Sequence, residues 1–189
     1  MVRAIGVIGA GKVGRGIALA AAMGGYRTIL EDLLPNALRH AESELRDSLD
    51  QALEAGRFSA GAVDAAFSRL EFAGFVEDAA RQADLVIEAG PEEMESKIEI
   101  FTLLDKICRP DTILVSNLAS LSITEIARVT YRARNCLGMR FSGPVETGTR
   151  LEIIRGLETD DRTVATAMVV GERMGKEVVV VRDGVAALP

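Results

Sequence analysis

Apolar residues in this chain fall into short runs, separated by longer stretches in which they recur every three or four positions. A short run bounded by polar residues has the length of a buried strand, whereas spacing of three or four marks one face of a helix. Runs near 3–8, 27–31, 84–88, 112–116, 135–141, 151–155 and 177–182 predict strands. Asp84-Leu-Val-Ile-Glu88 and Thr112-Ile-Leu-Val-Ser116 lack polar alternation and are expected at the centre of a parallel sheet. In Glu177-Val-Val-Val-Val-Arg182 the consecutive β-branched side chains disfavour helix and fit a pleated surface. Between the second strand and Asp84 the pattern predicts a helical excursion over 35–80. Pro35 suits a first helical position, and Ala37, Ala41, Leu45, Leu49 and Leu53 form an i,i+4 stripe with Glu42, Glu44, Arg46 and Asp47 mostly off it. Gly56 is expected to end that helix, and Ser59 to cap a second over 60–70. Strands alternating with helices predict one domain over 1–189. Its expected fold is doubly wound and α/β, with a mostly parallel sheet and a helical pair after the second strand.

Candidate chemistry begins at the first strand. Ile5-Gly6-Val7-Ile8 leads into Gly9-Ala10-Gly11-Lys12-Val13-Gly14, and a helical stretch follows from Arg15 to Met23. The next strand ends in Glu31-Asp32, so glycine triplet, helix and acid stand in the order and spacing of a Rossmann-type dinucleotide site. Gly9 permits the tight turn, Gly11 lets the backbone approach a pyrophosphate, and Gly14 lets helix and strand pack closely. The pyrophosphate then meets unpaired amides at the positive end of the helix. Asp32 accepts hydrogen bonds from ribose hydroxyls and repels a 2′-phosphate. Glu31 is expected to add to that repulsion, and no Arg or Lys follows at Leu33, Leu34 or Pro35. NAD is therefore expected rather than NADP.

Bulk composition narrows the remaining possibilities. The 189 residues are 48% hydrophobic and 26% charged, an ordinary balance for one globular domain. A net charge of −6 argues against general nucleic-acid or anionic-membrane binding. No apolar run approaches the roughly 18 residues that span a bilayer. The glycine motif starts so early that no cleavable leader is expected, and a cytoplasmic location follows. Cys108 and Cys136 are too far apart for a metal motif and are expected to be buried free thiols. With His40 the only histidine and no paired ligand spacing, no metal site is expected.

With strand, fingerprint, acid and helical excursion assembled, the sequence resembles the NAD-binding domain of L-3-hydroxyacyl-CoA dehydrogenases. The likeness covers nearly the whole chain. It is carried by Val86-Ile-Glu-Ala89 with Glu92 and Lys97, by Ser116-Asn117, and by Ser120-Leu-Ser-Ile-Thr124. Gly138-Met139 with Phe141, Pro144-Val145 and the closing Gly175-Lys-Glu-Val-Val-Val-Val-Arg-Asp183 complete it. The resemblance implies an oxidoreductase of fatty-acid metabolism acting on an acyl-CoA or hydroxy-acid substrate, and a homodimer. It also implies that Glu92, Lys97 and Asn117 join the glycine loop and Asp32 around the cofactor. All three lie at or beyond the carboxyl ends of predicted parallel strands, where open α/β sheets bind ligands. The residues alone agree in part with that role for Lys97 and leave open the alternative of a solvated helix residue paired with Glu93, one turn earlier.

Several positions depart from the family pattern. In the family, a histidine between Gly-Met and Phe takes the substrate proton and is oriented by a glutamate; here Arg140 stands at the histidine position and Glu152 at the glutamate position. Leu118, Ala119 and Gly143 replace a threonine, a serine and an asparagine. An arginine cannot serve as the base, because its pKa exceeds ~12 and a neutral form is unavailable at pH 7. General-base catalysis contributes roughly 10²–10⁴-fold, so its loss is severe without a substitute. Arg140 and Glu152 are instead expected either to pair as a strut, or to bind a carboxylate or polarise a carbonyl, with Glu146 or Glu152 accepting the proton. Ser48 stands where the family contacts CoA. The family lysine two turns on is Ala55, with Arg57 nearby to compensate and Asp47 and Asp50 opposing a phosphate. The family continues after Asp183-Gly184 into a second domain, so an exposed apolar association surface is expected here. Three functions stay open: an oxidoreductase with an unusual acid–base group, a silent NAD(H)-binding module for sensing or scaffolding, and a half that needs another domain.

Overall fold

β-Branched and aliphatic runs form the strands of one eight-stranded sheet in the order β3-β2-β1-β4-β5-β6-β7-β8. The structure is a computed structural model, described over residues 1–184; residues 185–189, included in the expected domain, lie outside the described residues. The strands are β1 (Ala4–Ile8), β2 (Arg27–Glu31), β3 (Leu70–Ala73), β4 (Leu85–Glu88), β5 (Ile113–Asn117), β6 (Cys136–Phe141), β7 (Arg150–Arg155) and β8 (Glu177–Arg182). Neighbours are parallel except β6 and β7, which form a hairpin with Arg140 opposite Glu152. The expected central strands β4 and β5 are buried throughout except for half-buried Asn117.

Helices cover both faces. On one side lie α1 (Lys12–Met23), α2 (Pro35–Glu54), α3 (Ala60–Phe67) and α7 (Asp161–Arg173), packed on Ile5, Val7, Leu85, Ile87, Val115 and Leu137. On the other lie α4 (Val76–Ala80), α5 (Met94–Ile107) and α6 (Ile123–Ala127), packed on Ile8, Ile29, Val86 and Leu114. Side chains alternate across a strand, so Glu31, Glu88, Ser116, Arg140 and Glu152 all face the α4–α5–α6 layer near the site end of the sheet.

Two details of the excursion differ from expectation. Residues 70–73 are a strand, paired parallel with β2 from Thr28↔Leu70 to Glu31↔Ala73, so 35–80 is not helical throughout. This edge strand is four residues long, and the apolar pattern of α4 follows it closely, which masks the change of period. The α2 stripe also rotates: Ala41, Leu45, Leu49 and then Ala52 are buried, while Leu53 is 37% exposed. Steps of four exceed the 3.6-residue turn and drift off the core face. Gly56 (φ +66) follows the end of α2, and the Ser59 hydroxyl accepts the Ala62 amide at 3.3 Å to cap α3, both as expected.

Candidate functional site

The β1–α1 turn lies at the carboxyl edge, between β2 and β4. Gly9 turns the chain at φ +102 and donates its amide to Glu31 O at 2.9 Å. A Cβ on Gly14 would fall 1.8 Å from Gly9 O, so no other residue permits this close approach. In front of Gly11 a Cβ would meet nothing within 4 Å, leaving the backbone open to a ligand. The first hydrogen bond of α1 runs from Arg15 N to Gly11 O at 2.9 Å. The amides of Lys12, Val13 and Gly14 therefore lack helical acceptors, and α1 has neither a side-chain cap nor an acid in its first turn. An anion of pyrophosphate shape fits this cradle.

At the end of β2, Asp32 is already fixed: Oδ2 accepts Ala10 N at 3.0 Å and Oδ1 accepts Leu34 N at 2.9 Å. The carboxylate thus sits beside the glycine loop, where an adenosine ribose would pass. Glu31 does not join it. It is 2% exposed, and its Oε1 has no partner among the described residues. Burial, then the charges of Asp32 and Glu77, push its pKa up to about 7. Strand alternation turns Glu31 toward the α4 layer, so it is not placed to add its charge beside the glycine loop as expected.

Beyond β4, Lys97 proves to be no surface residue paired with Glu93. It is fully buried; Nζ donates to Glu88 Oε2 at 2.8 Å, Glu88 Oε1 at 3.1 Å and Asn117 O at 2.9 Å. Glu88 also accepts Gly90 N and Ser116 Oγ, each at 2.6 Å. The network joins β4, α5 and the end of β5 and fixes Asn117 at the carboxyl edge. Glu92 turns to the following loop, where Oε1 accepts Ala119 N, Ser120 N and Leu121 N at 2.9, 2.8 and 3.1 Å. Burial raises its pKa, but these amides and the Lys97 charge outweigh that and hold it below the ordinary value. Glu88 and Ser116 escaped assignment as site residues, although a carboxylate ending a fully apolar strand signals a buried partner.

Arg140 and Glu152 form the expected strut, Nη1 to Oε2 at 2.8 Å, with the Glu152 side chain only 1% exposed. Arg140 is one residue past the Asn117↔Met139 pair, and Leu118 N donates to Met139 O at 2.9 Å. The pair thus stands beside the Leu118–Ala119 turn. Glu146 is elsewhere: its carboxylate packs at Gly16 on α1, where a Cβ would lie 2.8 Å from Oε1. It lines a cavity with Lys12, Arg15 and Ser48 and is not placed to take a proton beside Arg140. Gly143 adopts φ +77 in the β6–β7 turn, a conformation that asparagine also tolerates. His40 is exposed on α2, 3.0 Å from Glu44 Oε1.

Ser48 lines a second cavity of about 250 Å³ between α1, α2 and the β6–β7 turn, together with Arg57, Val145 and Lys176. Arg57 shares this cavity with Ser48, while Asp47 and Asp50 are exposed on α2. Cys108 and Cys136 are free and buried, as expected. Burial is the first cause that pushes their pKa values up, to about 11 and about 12. Among the described residues no helix is long and apolar enough to cross a membrane, and no group of three or more His, Cys, Asp or Glu can hold a metal.

A mostly parallel sheet with an open glycine cradle and an acid after the second strand defines a Rossmann-type NAD-binding domain. Residues 4–184 match the model of the 3-hydroxyacyl-CoA dehydrogenase, NAD binding domain. The chain belongs to that family, and NAD is the cofactor of its domain. It is 41% identical over 182 residues to the "Probable 3-hydroxybutyryl-CoA dehydrogenase" of Bacillus subtilis (strain 168), covering 96% of this chain and 63% of that one. It is 34% identical over 183 residues to the 3-hydroxybutyryl-CoA dehydrogenase of Bradyrhizobium diazoefficiens, covering 97% and 62%. The crystal structure of (S)-3-hydroxybutyryl-CoA dehydrogenase from Ralstonia eutropha superposes with a TM-score of 0.93 at 32% identity, covering 97% of this chain and 65% of that one. The chain thus spans less than two thirds of the length of these relatives.

Proposed function

We propose that this domain holds NAD(H) with the amides of the Gly9-Ala10-Gly11-Lys12-Val13-Gly14 loop on the pyrophosphate and Asp32 on the adenosine ribose. Glu92, Lys97 and Asn117 complete the nicotinamide side; Lys97 acts by fixing Asn117 and Glu92 by fixing the 119–121 loop. The bound cofactor supplies a hydride acceptor or donor. The chain's part is to position a hydroxyl or keto carbon of an acyl-CoA or hydroxy-acid substrate beside it.

The observation that carries the catalytic reading is the 2.8 Å contact between Arg140 Nη1 and Glu152 Oε2. A histidine oriented by a glutamate takes up and returns a proton, whereas a guanidinium at the same place keeps its protons at neutral pH. The pair can polarise an oxygen but cannot move a proton by the family's route, so oxidation of 3-hydroxyacyl-CoA is impaired by roughly the 10²–10⁴-fold that a general base contributes. The same contact supports a second reading, a silent NAD(H)-binding module, because a salt-bridged pair completes the fold without any reaction.

Calorimetry with NAD and NADP, followed by turnover of acetoacetyl-CoA with NADH, tests the proposal. NAD is expected to bind in preference, and turnover to be low until Ala119→Ser, Arg140→His and Gly143→Asn are introduced together. Preference for NADP refutes the role of Asp32; family-like turnover by the unaltered chain refutes the role of the ion pair. A homodimer and a cytoplasmic location belong to the same proposal. They are supported by the half-exposed valines of edge strand β8 and by the two reduced, buried cysteines.

A further inference from the structure

Inside the glycine loop, both backbone polar groups of Ala10 are held by side chains. Ala10 N donates to Asp32 Oδ2 at 3.0 Å, and Ala10 O accepts Arg15 Nη1 at 3.1 Å. Arg15 is anchored in turn, because its Nη2 donates to Glu44 Oε2 at 2.6 Å and so joins α1 to α2. The other Glu44 oxygen lies 3.0 Å from His40 Nε2. Only 17% of the Arg15 side chain reaches solvent, and its guanidinium spans from Glu44 to the loop. In a trans peptide the carbonyl and the following N–H point opposite ways. Drawing Ala10 O toward Arg15 therefore turns Gly11 N–H away from the guanidinium. That amide has no acceptor among the described residues, and Gly11 is exposed. With a glycine on each side, the Ala10 unit is free to swing unless something restrains it. The bonds to Asp32 and Arg15 supply that restraint, one at each end.

We infer that Arg15, which lies outside the Gly9–Gly14 motif, is a positioning residue for the dinucleotide: anchored by Glu44, it sets the Ala10–Gly11 peptide so that Gly11 N–H joins the amides facing the pyrophosphate. This rests on the reading that the pyrophosphate lies on the 9–14 loop. Arg15 acts through Ala10 rather than by touching the ligand. Its contribution is made before the ligand arrives, since a donor already held in its bound orientation costs less to order. Helix α2 contributes to cofactor binding by the same route, through the Glu44 carboxylate. A bare charge effect has the opposite sign at that position. Removing an acid near the cradle would favour an anion by electrostatics alone, whereas removing the anchor of Arg15 releases the loop.

The test is calorimetric titration of NAD into the unaltered chain, Arg15→Gln, Arg15→Lys and Glu44→Ala, with thermal denaturation of each. Arg15→Gln is expected to weaken NAD about tenfold, the worth of one hydrogen bond from a charged group. Arg15→Lys should recover only part of this, because a single ammonium does not reproduce the fork that holds Ala10 O and Glu44 together. Glu44→Ala should also weaken NAD, while its melting temperature changes little, as a partly exposed ion pair adds little stability. Should Arg15→Gln fail to fold, Glu44→Ala carries the same expectation from the exposed side of the pair. The inference is overturned if Arg15→Gln binds NAD as the unaltered chain does, or if Glu44→Ala binds it equally or more tightly. Full affinity in Arg15→Lys overturns it as well, since Arg15 would then act as a charge alone. An unaltered chain that binds no NAD sinks the cofactor reading and the inference together, whereas binding unchanged across the variants sinks the inference and leaves that reading intact.

Discussion

Replacing Lys97 by Met keeps an unbranched side chain one atom shorter but removes the charge from a site that is fully buried. Glu88 would keep its bonds from Gly90 N and Ser116 Oγ, and lose both contacts from Nζ at 2.8 and 3.1 Å. Breaking one partner of a buried ion pair strands the other charge and costs about 3–5 kcal/mol. For a domain of this size, about 2–4 °C of melting temperature is lost per kcal/mol, so a fall of roughly 6–20 °C is expected. Asn117 O also loses its donor at 2.9 Å, so NAD affinity should fall in whatever fraction stays folded. Glu88→Gln/Lys97→Met removes both charges and should recover most of the loss, since neutral replacements of buried pairs are often harmless. Thermal denaturation of the unaltered chain, the single variant and the double variant decides the matter. A single variant within about 1 kcal/mol of the unaltered chain would show that Lys97 is not a paired buried charge.

Three further outcomes are expected. Gly14→Ala places a Cβ 1.8 Å from Gly9 O, so the loop must open; NAD binding should vanish in calorimetry, and retained micromolar affinity would contradict the cradle geometry. Glu31, with a native pKa pushed from 4.5 to about 7, holds its proton in the folded state across that window. Folded protein then binds more protons than unfolded, so this stability is present at low pH and is lost as pH rises through about 7. Glu31→Gln should therefore raise the melting temperature more at pH 8 than at pH 5, and an equal effect at both would show that Glu31 does not titrate there. Cys108 and Cys136, pushed up to about 11 and about 12, should resist iodoacetamide at pH 8 until the chain is denatured. Prompt labelling of native protein would contradict their burial.

Much of this architecture was readable because the chain repeats one physical signal. Apolar runs without alternation at 84–88 and 112–116 place β4 and β5 in the middle of the sheet, and the glycine spacing fixes the β1–α1 turn. The Arg140–Glu152 contact was also legible, since two residues at the paired family positions become cross-strand neighbours in a hairpin. Strand β3 was not, because four residues pairing along one edge carry too little periodicity to separate from the helices on either side. Burial of Glu31 and Lys97 escaped for a different reason. A polar side chain near a strand end or on a helix reads as solvated unless its distant partners are known, and Glu88, Ser116 and Asn117 are brought to Lys97 only by the parallel crossover.

The Asp32 carboxylate is pinned by Ala10 N and Leu34 N in the protein alone. Its rotamer is settled when the chain folds, so docking a sugar there freezes little that was previously free. Association should accordingly proceed without a slow rearrangement step, and its rate should rise in simple proportion to dinucleotide concentration in stopped-flow mixing.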